Sequence, residues 1–192
     1  GYGGASPLPL LADRSSWDAG DLRYDETFTQ EYEGIPLKFV YCKKLWNLSS
    51  EFSPRGNKNE NVVMIRLADI YLMAGEAENE LNGPDNAYQY VNKVRERAFE
   101  PDQPWSGMTQ SEFRVEMQEE RMHELCMENH RKPDLVRWGI YVERIRNTQF
   151  QKHNAQAATN VQDKHRYAPI PLSEIQLNPN LLNTDPTNNG YR

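Results

Sequence analysis

Five glutamates stand four residues apart in the middle of this chain: Glu112, Glu116, Glu120, Glu124 and Glu128. On a helix that spacing stacks them along one face, where like charges repel. A row of acids kept against its own repulsion is what a metal cluster or an acid–base site would use. Glu120-x-x-His123 is half of the pattern found in di-iron helical bundles. Such a centre needs a second Glu-x-x-His and two further glutamates, and no second copy occurs. His123-Glu124 also begins the zinc-protease pattern, but the second histidine would be residue 127, which is Met127. His130 comes too late, and His153 and His165 lie in a polar stretch without ligand spacing around them. There is no nucleophile elbow. The opening YGGAS lacks the Lys-Ser/Thr that a phosphate loop requires. Two carboxylates could serve a glycosidase, but any acidic chain offers such pairs. No catalytic residue, metal ligand or cofactor is assigned on these grounds.

The same acids have an architectural use. Glu120 to Gly139 mixes Arg121, Arg131 and Arg137 with Glu124, Glu128 and Asp134, and threads Leu125, Leu135 and Trp138 among them. A solvated face would not need the apolar residues, and a core helix would not need the charges. Two helices meeting at a corner and fixed by ion pairs need both. Glu120, Arg121, Glu124, Glu128, Arg131, Asp134 and Arg137 are therefore expected to form a structural ion-pair network.

Binding chemistry, as opposed to bond-breaking, points to the aromatics in loops. A sugar presents C–H faces that sit on rings while nearby polar groups bond its hydroxyls, and amphipathic rings suit such half-wet surfaces. The candidates are Trp17, Tyr24, Tyr32 and Trp105. The competing use of each is packing on its own loop or closing over the core. Trp46 and Trp138, on regular elements, are assigned to the core.

These residues must be held by helices. Residues 1–34 read as loop with at most a helical turn, 35–46 as a strand of branched and aromatic residues, and 49–60 as a polar loop. A helix is expected from Val62 to Leu81, with Leu67, Ile70, Tyr71, Ala74, Ala77 and Leu81 on its inner face. Gly83 stops it, and Pro84 suits the first turn of the next helix, which runs to Ala98 with Ala87, Tyr90, Val91, Val94 and Ala98 facing inward. A connection that short makes an antiparallel hairpin of the tetratricopeptide kind. Thr109-x-x-Glu112 is a capping box opening a helix to Asn129. Another helix is expected over 134–149, with Leu135, Trp138, Val142 and Ile145 inward. Residues 151–166 read as polar and mobile. The tail from Tyr167 reads as extended, held by Ile170, Leu172, Ile175 and Leu177.

Composition narrows the classes further. The 192 residues carry a net charge of −6, which argues against general nucleic-acid affinity. Mean hydropathy is −0.87, polar for a globular domain and consistent with helices that bury one stripe. Two cysteines, Cys42 and Cys126, build neither a disulfide framework nor a Cys-rich metal site. No stretch has the length and apolarity of a membrane-spanning helix.

Four blocks, in order, resemble the SusD/RagB family of surface nutrient-binding lipoproteins. The segment 120–139 is similar to the family's E-R-x-x-E-L-x-x-E-G-x-R-x-x-D-L-x-R-W-G, with Asn129 in place of the glycine and Pro133 before Asp134. RLADIYLMAGEAENEL at 66–81 and VNKVRER at 91–97 resemble its helical pair. YAPIPLSEIQLNPNL at 167–181 resembles its closing P-I-P-x-x-E-I-x-x-N-P-x-L, and DLRYDETF at 21–28 its D-x-R-x-x-x-T-F. The resemblance implies a mainly α-helical fold of tetratricopeptide-like hairpins with long loops and room for a short β-hairpin. It implies that 1–192 form one lobe from the C-terminal part of a longer protein: a loop-rich segment to 60, helical hairpins over 61–150, and a polar loop and tail over 151–192. The implied function is capture of an oligosaccharide at the cell surface, without catalysis, and its delivery to a SusC-like TonB-dependent outer-membrane transporter. The implied location is the outer membrane of a Bacteroidetes-type bacterium, through a lipidated cysteine and signal peptide upstream of these residues. Peptide capture, or a helical interaction module with no ligand site of its own, are the rival readings.

Overall fold

The computed structural model describes residues 11, 13–44, 63–147, 151–183 and 185–191. These described residues are mainly helical, with one two-stranded antiparallel sheet among them. It divides into two compact units, Gly1–Arg131 and Lys132–Arg192.

In the first unit a short helix α1 (Arg23–Thr27) leads into β1 (Phe28–Tyr32), which pairs antiparallel with β2 (Ile35–Cys42). The two turn residues, Glu33 and Gly34, both have positive φ, 51° and 79°. That matches the right-handed twist of a two-residue hairpin. The strand expected over 35–46 is thus seen as far as Cys42, and its partner lies in a stretch read as loop. Phe28 and Thr29 carried no alternating signal of their own; the hairpin turn supplies the pairing. Trp46 and the loop over 49–60 lie outside the described residues.

Three helices follow: α2 (Leu67–Asn82), α3 (Tyr88–Ala98) and α4 (Gln110–Glu124). Gly83 ends α2 at φ 88°, and its N–H donates to Asn79 O at 3.0 Å. Both halves of the capping box form: Glu112 N–H donates to Thr109 Oγ1 at 3.2 Å, and Thr109 N–H to Glu112 Oε2 at 2.8 Å. Leu72, Val91, Val94, Trp105, Phe113 and Met117 make the core between these helices. On α3, Ala87, Val91, Val94 and Ala98 are buried as the periodicity predicts.

The inner face of α2 departs from expectation. Its buried residues are Asp69, Leu72, Gly75 and Asn79, whereas Leu67, Ile70 and Leu81 are exposed. The neighbours explain the rotation. Gly75 admits close approach, since a Cβ there would lie 3.4 Å from Met117 Cε and 3.5 Å from Ala87 O. Asp69 meets Arg121, and Asn79 Nδ2 donates to Gln110 O at 3.1 Å. Small and paired polar residues take the contact, and the apolar stripe lies on the opposite face.

The helix expected to Asn129 stops at Glu124. The turn after it uses left-handed residues, Met127 at φ 66° and Asn129 at φ 65°. Asparagine tolerates that conformation, which explains how it stands where the family pattern has glycine. At the start of the chain, Gly20 has φ 83°, and a Cβ on it would sit 2.7 Å from Glu100 O. Its carbonyl accepts from Glu100 N–H at 2.9 Å, and Leu22 N–H donates to Ala98 O at 2.9 Å. These bonds join the chain start to the end of α3.

In the second unit the helix expected over 134–149 is two: α5 (Arg131–Arg137, whose first residue closes the first unit) and α6 (Tyr141–Arg146). Gly139, at φ 76°, donates its N–H to Val136 O at 3.0 Å, and Ile140 N–H donates to Leu135 O at 3.0 Å. This is a Schellman stop, so Arg-Trp-Gly is a helix terminator. The stretch read as polar and mobile contains α7 (Gln151–Asn160) and a 3₁₀ turn, Asp163–Arg166. The alanines in QKHNAQAATN favour a helix, and Val161 is buried just beyond it. The tail, read as extended, forms α8 (Leu172–Leu177), with Ile175 buried and Leu172 and Leu177 exposed. Asn188 pins it by accepting from Ile170 N–H at 2.8 Å and donating to Ile170 O at 3.0 Å.

Candidate functional site

The acid ladder points into a bed of cations. Glu120 Oε1 and Oε2 accept from Arg23 at 2.5 Å and Arg95 at 2.7 Å. Glu124 accepts from Arg66 at 2.6 Å, Arg97 at 2.7 Å and Arg23 at 3.2 Å. Glu128 is held by Arg66 and Lys44, each at 2.6 Å. Arg121 Nη1 donates to Asp69 at 2.9 Å. Asp21 grips Arg23 from the other side at 2.7 Å and accepts its backbone N–H at 2.9 Å. Lys44 ties down the helix end by donating to Glu124 O at 2.7 Å. Cations from α1, the end of β2, the start of α2, and α3 therefore meet on one face of α4. Glu112 instead caps the helix, and Glu116 is exposed.

The electrostatics follow from this crowd. Burial pushes the Glu124 carboxyl up, but Arg97, Arg66 and Arg23 together hold it below the usual carboxylate range. Burial likewise works against Glu128, and Arg66 and Lys44 more than offset it. For Arg23, burial disfavours the charge, while Glu120 and Asp21 raise its pKa above the ordinary value. Phe99 lies against two guanidiniums, 4.1 Å from Arg95 and 5.2 Å from Arg23. Such contacts favour a desolvated cation. A general acid needs a carboxyl held above its ordinary pKa, and Glu124 and Glu128 are shifted the other way. A cleft of about 380 Å³ opens over this network, lined by Thr27, Lys44, Arg66, Arg97 and Glu124 among others. No group of three or more His, Cys, Asp or Glu side chains among the described residues could hold a metal ion.

Arg131, Asp134 and Arg137 have pairings of their own. Arg131 donates to Gln118 O at 2.8 Å and stands 3.9 Å from Glu119. Asp134 is buried and takes Arg137 Nε at 2.9 Å within α5. The sequence reading did not name Arg23, Lys44, Arg66, Asp69, Arg95 or Arg97. All but Lys44 sit in the blocks 21–28, 66–81 and 91–97, so the signal was there.

The four ring candidates do not form one cluster, although Trp17 and Tyr24 meet edge-on at 5.9 Å. Trp17 is 5% exposed; it donates Nε1–H to Leu11 O at 3.0 Å and lies 4.4 Å from the His123 ring. Trp105 is 9% exposed and packs edge-on to Phe113 at 5.4 Å. Both indoles belong to hydrophobic clusters, the packing role weighed against ligand contact in the sequence. Tyr24 is half-buried beside Trp17, with Arg14 over its ring at 5.5 Å. Tyr32 is 45% exposed at the hairpin end. Trp138 is half-buried under the Arg137 guanidinium.

The second unit has its own open cleft of about 470 Å³. Tyr141 and Tyr191 stand in its wall with Gln156, Asn160, His165 and Lys132.

Comparison with known proteins places these features. The SusD family model matches residues 14–191. SusD-like protein P25 of Formosa agariphila is 47% identical over 174 residues, which cover 90% of this chain and 33% of that protein. SusD-like protein P2 of the same organism is 28% identical over 216 aligned positions, covering 100% of this chain and 41% of that protein. A crystal structure of a SusD homolog from Bacteroides thetaiotaomicron superimposes with a TM-score of 0.53 at 34% identity, over 59% of this chain and 25% of that one. The chain spans about a third of the length of one of these curated relatives and about two fifths of the other.

Proposed function

The chain belongs to the SusD family, and we propose that it serves a cell-surface protein that binds an oligosaccharide and passes it to a TonB-dependent outer-membrane transporter of the SusC kind. The observation that carries the reading is the family match over 14–191, with a SusD-like relative at 47% identity over most of the chain. The ion-pair site supports it from the other direction: Glu120, Glu124 and Glu128 each accept from at least two cations, an arrangement that fixes helices, and the cations hold Glu124 and Glu128 below the usual carboxylate range. The protein binds and releases; it breaks no bond. It sits on the outer membrane through a lipid anchor outside these residues. No helix of the described residues is long and apolar enough to cross a membrane. Of the four ring candidates, Tyr24 on α1 and Tyr32 at the end of β1 keep enough exposure to touch a ligand.

A glycan array followed by calorimetry on the intact protein tests this. Binding to a defined oligosaccharide, with no turnover, is the expected result. Binding to peptides alone, or turnover of a glycan abolished by Glu124→Gln, would overturn it.

A further inference from the structure

We propose that the cleft of the second unit is a contact site for an anionic sugar unit, one that carries a carboxylate or a sulfate; this rests on the saccharide reading above. Its volume of about 470 Å³ falls within the range of small-ligand clefts. Tyr141 and Tyr191 supply ring surface for sugar C–H groups. Gln156 and Asn160 stand four residues apart on α7 and so share a face. Neither amide has a partner among the described residues, and each offers both donors and an acceptor to a hydroxyl. His165 Nδ1 accepts from Gln162 N–H at 2.9 Å, which puts the ring proton on Nε2 as a further donor. Tyr191 is fixed by its hydroxyl, which donates to Tyr167 O at 3.2 Å, and by the His165 edge at 6.0 Å.

Charge selects the class of sugar. Lys132 lines the cleft with Nζ 5.4 Å from the Tyr141 ring; Lys164, outside the lining, donates to Gly190 O at 3.4 Å with Nζ 5.3 Å from the Tyr191 ring. No described aspartate or glutamate lines it. On a chain of net charge −6 that is a local excess of positive potential. A neutral sugar would use the amides and rings but leave the Lys132 ammonium without a counter-charge. An acidic one uses both.

The test is calorimetry of the intact protein with a short oligogalacturonate, a sulfated galactan fragment and a malto-oligosaccharide. One or both acidic ligands are expected to bind, and the neutral one to bind more weakly. Lys132→Glu is expected to weaken acidic binding by about tenfold, the scale of one charged hydrogen bond, with an unchanged melting temperature. Asn160→Ala is expected to weaken it too. Independently of any variant, the bound acidic ligand is expected to shield His165 from diethyl pyrocarbonate, read by mass spectrometry. Acidic binding that ignores both substitutions and leaves His165 open would overturn this site while sparing the saccharide reading. Preference for the neutral ligand would overturn the choice of class. If no saccharide binds the wild-type protein, the reading beneath falls and takes this with it.

Discussion

Arg121 Nη1 lies 2.9 Å from Asp69 Oδ1, and both side chains are shut away from water. The pair joins α4 to α2 across 52 positions of sequence. Breaking a buried pair by removing one partner typically costs about 3–5 kcal/mol. Asp69→Ala is expected to lose stability on that scale, and the double variant Asp69→Leu with Arg121→Met to recover part of it. Urea denaturation of the set measures this. A single variant as stable as the wild type would show the pair to be idle.

Acid should loosen the ladder. Glu124 and Glu128, of ordinary pKa 4.5, are held below it by their cations against the push of burial. The unfolded chain therefore takes up protons near that pH while the folded chain holds out to lower values. Stability from these groups is complete above 4.5 and is lost as pH falls through the folded pKa values. The denaturation midpoint is expected to drop steeply in that window, and less steeply in Glu124→Gln. A flat profile would contradict the role given to these acids.

His123 should act in the neighbouring window. Burial lowers its pKa below 6.5, helped by Arg23 and opposed by Glu120, Asp21 and Glu119. Its ring lies on Trp17, and its Nε2 is buried without a partner. The unfolded state binds the proton first as pH falls from 6.5, so stability declines towards the folded pKa. His123→Phe keeps a ring against Trp17 and is expected to remove that slope. Equal slopes in the two proteins, measured between about pH 7.5 and 5.5, would exclude His123 as its source.

The tryptophans and Tyr32 should behave oppositely. Trp105→Ala empties a core site beside Phe113 and is expected to cost about 3–5 kcal/mol. Trp17→Ala should fall in the same range. Tyr32→Ala, at an exposed hairpin end, should stay within about 0.5 kcal/mol of wild type. Thermal melts beside ligand titrations separate the cases: the tryptophan variants lose binding only together with stability, whereas a Tyr32 effect on binding comes with an unchanged melt.

Much of the helical layout was legible because its signals are short-range. The Thr109–Glu112 box, the stop at Gly83 and the inward stripe of α3 are written within a few residues of where they act. The same logic would have found the break at Gly139, where the glycine after Arg-Trp ends a helix; the periodicity through Leu135, Trp138 and Val142 hid it. The helix α7 was missed because its polar composition carries no stripe to see.

What the sequence alone determined was the presence of α2, α3 and α4 and an excess of charge in α4 that needed partners. What only the tertiary structure decided was which partners. Arg23 reaches Glu120 across 97 positions and Glu124 across 101, and no local pattern encodes a meeting of segments that far apart. The face on which α2 buries itself, and the burial of Trp17 and Trp105 in hydrophobic clusters, were decided the same way. Burial belongs to whatever packs from elsewhere in the chain, and periodicity offers two faces without saying which will be covered.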